Sequence, residues 1–170
     1  MAEGILTRGS EPLRGPSGRS FETWYGMRFN GEPVRLIPAT GAHSQDDLLI
    51  HFVDSGVVHM GDLYLSRSFP SAGRDVKRYL EIMDTVIDVF GPETKFIAGH
   101  GPDNTMSEVK AYRATLGQTI AVVRAGMKAG KSVEQMREEG VLDEWDSWGD
   151  YLRFLDADTW IQWVHDSYEG

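Results

Sequence analysis

Apolar and aromatic residues crowd positions 21–29, stop at Asn30-Gly31, and resume over 33–37. Asn-Gly between two such runs predicts a two-residue hairpin joining two strands. A continuous apolar run at 48–53 then reads as a strand buried on both faces. Asp54-Ser55-Gly56 turns the chain into another short strand at 57–60. Helical spacing takes over afterwards. Ser71 can cap a helix carrying Val76, Leu80, Met83, Ile87 and Phe90, with Gly91 as its stop. A short strand follows at 95–98. Thr105 and Glu108 form a capping-box pattern for a helix with Val109, Tyr112, Leu116, Ile120 and Val123 on one face, closed by Gly130. Ser132 and Gln135 repeat that pattern for a short helix ending at Gly140. From Asp156 a last helix places Trp160, Trp163 and Val164 on one stripe.

The order of strands, helix, strand and helices predicts an α/β (α+β layered) chain, a mixed sheet with helices on one face. No internal repeat is visible. Residues 1–20 are rich in Gly, Arg, Ser and Pro without periodicity, so they read as a flexible arm or linker, and residues 21–170 as the folded unit. A linker opening a chain suggests that something preceded it.

Composition narrows the function classes. The 170 residues carry 17 Lys and Arg against 26 Asp and Glu, a formal charge of −9. Such a surface repels phosphate backbones, so no nucleic-acid partner is expected. There are no cysteines, which excludes a disulfide framework, a cysteine-ligated zinc and a thiol nucleophile. No apolar run approaches a membrane span and no signal-peptide core opens the chain, so the default reading is soluble and cytoplasmic.

Three polar residues each follow the carboxyl end of a predicted strand: His43, Asp62 and His100. Ligand sites in sheet-plus-helix folds gather there. Two imidazoles and a carboxylate suit zinc or a similar borderline metal. Gly61, Gly99 and Gly101 allow the tight turns that aim such side chains inward. The alternative for any single histidine is a hydrogen-bonded loop residue. His51 and His59, inside strands, read as buried and satisfied, and His165 as an ordinary helix residue.

Residues 42–52 (AHSQDDLLIHF), 57–64 (VVHMGDLY) and 96–102 (FIAGHGP) occur in an order and at separations that resemble the carboxyl-terminal half of the metallo-β-lactamase superfamily, its glyoxalase II-like dinuclear metallohydrolases in particular. The resemblance runs from about Phe21 to the end. It implies half of an αββα sandwich. It also implies roles: His43 as the third histidine of the first metal site, Asp62 as the carboxylate that bridges two metals and so the catalytic residue, and His100 as a ligand of the second metal. A complete site of this kind holds two Zn2+ ions, with iron or manganese as alternatives. Its metal-bound hydroxide attacks an ester, thioester, lactam or related bond of a small-molecule substrate. Residues 65–73, rich in Ser and Arg, would lie near the mouth of the site and touch substrate.

The family's HxHxDH motif, from its amino-terminal half, is absent: no two histidines here are two residues apart. A catalytic zinc needs about three protein ligands. The chain alone is therefore expected to bind metal weakly and hydrolyse poorly, its site being completed by a missing amino-terminal half or a second chain. The sequence thus reads as part of a hydrolase, whether a truncated chain, a fragmentary gene or one chain of a split protein. The alternative is a non-catalytic half-fold module that covers its open sheet with another copy or a partner. A metal-free α+β domain is the third reading.

Overall fold

The hydrophobic alternation of the first half builds a sheet, and the helical stripes of the second half cover it. The computed structural model describes residues 3–72 and 75–169. Among them nine strands form: β1 (Thr7–Arg8), β2 (Leu13–Arg14), β3 (Ser20–Phe21), β4 (Tyr25–Phe29), β5 (Glu32–Pro38), β6 (Leu48–Phe52), β7 (Val57–His59), β8 (Lys95–Ile97) and β9 (Asn104–Thr105). Seven make one sheet in the order β1-β4-β5-β6-β7-β8-β9, and β2-β3 form a separate ribbon. The pairing is antiparallel except between β7 and β8, which are parallel. Parallel neighbours need a crossover, and α1 (Val76–Val89) provides it. The β4–β5 hairpin turns at Asn30 and Gly31, with φ of 50° and 82°, the left-handed pair that the Asn-Gly sequence predicts.

Cross-strand register fixes the two faces of the sheet. Ile37 pairs with Leu49, His51 with Val58 and Val58 with Phe96, so these residues share a face. All but His51 are fully buried or nearly so, in one cluster with Tyr79, Met83, Val109, Leu116 and Trp160 of the helices. The helices are α1, α2 (Met106–Lys128), α3 (Val133–Glu138) and α4 (Ala157–Tyr168). Both predicted capping boxes form, at Thr105 with Glu108 and at Ser132 with Gln135. Asp156 caps α4 by accepting from the Thr159 amide. No helix among the described residues is long and apolar enough to cross a membrane.

Four expectations need correction. Residues 3–20 are not a free arm: Gly9 N donates to Trp24 O at 2.8 Å, Trp24 Nε1 donates to Glu11 O at 2.8 Å, and Ser17 Oγ donates to Asp88 at 2.7 Å. Backbone pairing and anchors remote in sequence hold them, and neither leaves a periodic pattern. Asp75, not Ser71, caps α1, accepting from Arg78 N. The buried stripe of α1 is Val76, Tyr79, Ile82, Met83 and Val86, while Leu80 and Ile87 are only half-buried. Finally, β6 is covered on one face only. Leu49 is buried completely, but Leu48 is 44% exposed. On the opposite face the row Tyr25–Leu36–Ile50–His59–Ile97 runs across five strands without a buried member.

Candidate metal centre

Because β5, β7 and β8 run in the same direction, their carboxyl ends lie at one edge of the sheet. His43, Asp62 and His100 each stand just past one of those ends, as the sequence predicts. Asp62 sits in a single 3-10 turn, Gly61–Leu63, directly after β7. Gly61 takes φ +54° there, which favours glycine. His100 follows β8. Since β7 and β8 are neighbours, the two side chains meet: His100 Nε2 is 3.6 Å from Asp62 Oδ1. Both are about half exposed, so the pair is open to a ligand.

That spacing is longer than a hydrogen bond. It is close to the roughly 3.4 Å between two donors that each lie about 2.1 Å from a tetrahedral ion. Gly99 makes the approach possible. Its amide donates to Gly61 O at 2.8 Å and to Tyr64 O at 3.0 Å. A Cβ there would fall on Asp62 Oδ1 and within 2.6 Å of the Gly61 carbonyl carbon. The glycine keeps clear the space that the carboxylate uses.

His43 lies in the loop between β5 and β6, organised by Asp47. The Asp47 carboxylate accepts from the amides of His43 (2.9 Å) and Ser44 (2.6 Å) and from Ser44 Oγ (2.9 Å). Its Oδ1 is 3.1 Å from His43 Nδ1. Burial alone would raise the Asp47 pKa, but these hydrogen bonds outweigh it and hold the carboxyl below its ordinary value. With Nδ1 engaged by a carboxylate, Nε2 is the nitrogen left to bind a metal, the usual arrangement behind a histidine ligand. Asp47 is the residue the sequence reading missed. Its signal was an acid four positions after His43 in a loop.

His43 does not join the other two. Among the described residues, only His165, Asp166 and Glu169 at the end of α4 form a set of three such donors with ligand atoms all within 4.8 Å of one another. The reason is topological. Strand β6 separates β5 from β7, and two strand spacings are roughly 9–10 Å. The chain thus presents an Asp62–His100 pair and a separately oriented His43, donors whose N and O chemistry suits zinc or a similar cation.

A buried polar shelf backs the pair. Tyr79 OH donates to Leu63 O at 2.8 Å, and Tyr64 OH and Ser66 Oγ both donate to Asn104 Oδ1, at 3.0 and 3.1 Å. Ser66 N donates to His100 O at 3.0 Å. Burial pushes the Tyr64 phenol up to about 12 and raises Tyr79 and Tyr112 further, so all three stay neutral donors. Residues 65 and 66 therefore lie against His100, as expected for the start of the Ser- and Arg-rich stretch. Gly73 lies outside the described residues. His59 accepts from Gly61 N at 3.2 Å. His51 is not satisfied as expected: its Nδ1 is buried without a hydrogen-bond partner, beside Phe90.

No family model matches the chain, and no curated protein matches it. Solved structures do. The chain is similar to a stereoselective inverting sec-alkylsulfatase from Pseudomonas sp., at 17% identity over 86% of this chain and 26% of that one, with a TM-score of 0.61. It is similar to a metallo-beta-lactamase family protein from Thermus thermophilus, at 16% identity over 85% of this chain and 46% of that one, with a TM-score of 0.56. A beta-lactamase domain protein from Burkholderia ambifaria aligns at 18% identity over 82% and 43% of the two chains, with a TM-score of 0.54. The chain spans less than half the length of each. Its fold is that of metallo-β-lactamase-fold proteins, a mixed sheet with helices corresponding to half of the sandwich.

Proposed function

We propose that this chain is the carboxyl-terminal half of a metal-dependent hydrolase, in which Asp62, His100 and His43 supply part of a zinc site. The observation that carries the reading is the Asp62–His100 pair at the shared edge of β7 and β8, kept open by Gly99. A zinc ion held by such donors supplies Lewis acidity and lowers the pKa of water, the chemistry that cleaves esters, thioesters, lactams and related bonds. The chain's own part is to orient. Asp47 fixes the His43 ring, the tyrosine shelf fixes the turn behind Asp62, and the Leu65–His100 bridge fixes the loop after β8. Two imidazoles and one carboxylate do not complete a dinuclear site, so further ligands come from an amino-terminal half or from a second chain.

The test is metal content by elemental analysis, on protein purified without chelator, beside its mass by light scattering. The expected result is substoichiometric zinc that falls in His43→Ala and His100→Ala. It should rise, together with hydrolysis, when an amino-terminal half carrying HxHxDH is supplied. No zinc under either condition overturns the proposal.

A second reading is favoured by the uncovered row Tyr25–Leu36–Ile50–His59–Ile97. In it the chain is a non-catalytic module that buries this face against a partner. Assembly that ignores His43→Ala and His100→Ala, without metal, would select it.

A further inference from the structure

Arg67 takes a left-handed backbone conformation, φ +62°, in the turn closed by Ser68 N donating to Leu65 O at 3.3 Å. Glycine fits this conformation without strain. Strained non-glycine residues cluster where a side chain is needed in one place. The turn directly follows the bridge between Leu65 and His100, so Arg67 is held next to the proposed metal site.

Two cavities flank Arg67, and it lines both. One is walled by Tyr64, Tyr112 and Trp148, the other by Gly101, Pro102 and Tyr151. Tyr151 is 58% exposed and packs edge-on to His100, with ring centres 6.3 Å apart. Among the described residues, Arg67 is the only cation lining either cavity. Its guanidinium makes no hydrogen bond or ion pair among the described residues. Two acids also line these walls. Glu108 Oε2 accepts from Thr105 N and Thr105 Oγ1, both at 2.8 Å, and the nearby Arg67 charge helps to lower its pKa, but neither Glu108 nor Asp150 forms an ion pair with Arg67. On a chain of net charge −9, a guanidinium beside the site with no ion pair among the described residues is a local exception.

We propose that Arg67 is the anion anchor of the substrate pocket beside Asp62 and His100, so that the substrate is a small molecule with an oxyanion group on an apolar body. The planar guanidinium fork grips two oxygens of a sulfate, phosphate or carboxylate, and Tyr151 with Pro102 offers the apolar wall. The word substrate rests on the hydrolase reading, whereas anion binding at Arg67 does not.

The probes are inorganic sulfate, n-butyl sulfate and, as the uncharged control, n-butanol. Each is titrated into the full chain while the arginine Nε–H resonances are followed by NMR, with metal content measured on the same samples. Sulfate should shift one arginine saturably. Arg67→Gly, which suits the backbone and should unfold no lower than wild type, should weaken sulfate at least about tenfold, and Arg67→Lys should weaken it less. Butyl sulfate should bind more tightly than sulfate, and Tyr151→Ala should remove only that gain. Butanol should not bind saturably. Equal sulfate binding by wild type and Arg67→Gly, or no saturation in wild type, overturns the proposal. If metal is absent both from the chain alone and after an amino-terminal half carrying HxHxDH is supplied, while anion binding still depends on Arg67, the anion site stands and the hydrolase reading falls. If metal is present and binding ignores Arg67, the anion site falls alone.

Discussion

Gly99 lies against Asp62 so closely that no side chain fits between them: its amide bonds to the Gly61 carbonyl at 2.8 Å, one residue before the carboxylate. The two residues follow different strands, and the turn after β8 is thereby docked onto the turn after β7. This contact places His100 beside Asp62.

Gly99→Ala should therefore damage the site and the fold together. The added carbon meets the Gly61 backbone at 2.6 Å, and backbone cannot rotate away. Overpacking of this kind costs about 1–3 kcal/mol. Urea unfolding should show that loss, and any zinc bound at the proposed Asp62–His100 site should fall with it. An Ala variant as stable as wild type would show that the two turns are not docked this tightly.

Asp47 tests the orientation of His43 separately. Asp47→Asn keeps the size of the side chain but weakens the hold on the His43 ring and on the loop amides. Loss of a carboxylate behind a histidine ligand commonly costs about 10–100-fold in metal affinity. Competition with a chelator should show a drop in that range, in the presence of whatever completes the site. Because the Asp47 pKa is depressed, its contribution to stability is full above the unfolded carboxylate pKa and is lost as pH falls through the lower folded value.

The edge of the sheet was legible from sequence because glycines and apolar runs mark strand ends locally. Both capping boxes and the α2 stripe were legible for the same reason. What escaped depends on residues far apart in the chain. Trp24 holding Glu11 and Asp88 holding Ser17 turn an apparent linker into structured backbone. The strand at 48–53 looked doubly buried because, His51 aside, its composition is apolar. Burial on its second face is decided by what packs there, and Leu48 and Ile50 carry no mark of that. His43, Asp62 and His100 were placed at strand ends correctly. Their mutual distances were not legible, because strand order decides which ends are neighbours.

His51 should make the fold sensitive to mild acid. It shares the covered face with Leu49 and packs edge-on to Phe90. Burial, with the nearby Arg35 charge adding to it, lowers its pKa to about 4, and Glu32 opposes this only in part. The neutral ring is favoured in the folded chain, while the unfolded chain takes up a proton near 6.5. Stability should thus be unaffected above about pH 7, fall as pH drops from roughly 6.5 towards 4, and level off below. Partial exposure screens the effect, which should amount to about 1–2 kcal/mol. His51→Leu should flatten this slope, measured by urea unfolding at about pH 7.5 and about pH 4.5, while the carboxylate contribution of Asp47 remains.

Ile50 addresses the uncovered face. It lies between Leu36 and His59 at the centre of the row across five strands and is half-buried. An apolar row left uncovered costs free energy in water, about 25 cal/mol for each Å² that a partner could bury. Ile50→Lys places a charge where burial would be expensive but leaves the helix-covered face untouched. The expected outcome is a chain with an unfolding midpoint close to wild type that no longer associates, with itself or with an amino-terminal half, when followed by light scattering. Association unchanged by the lysine would mean that this face stays open to solvent and that any completing chain docks elsewhere.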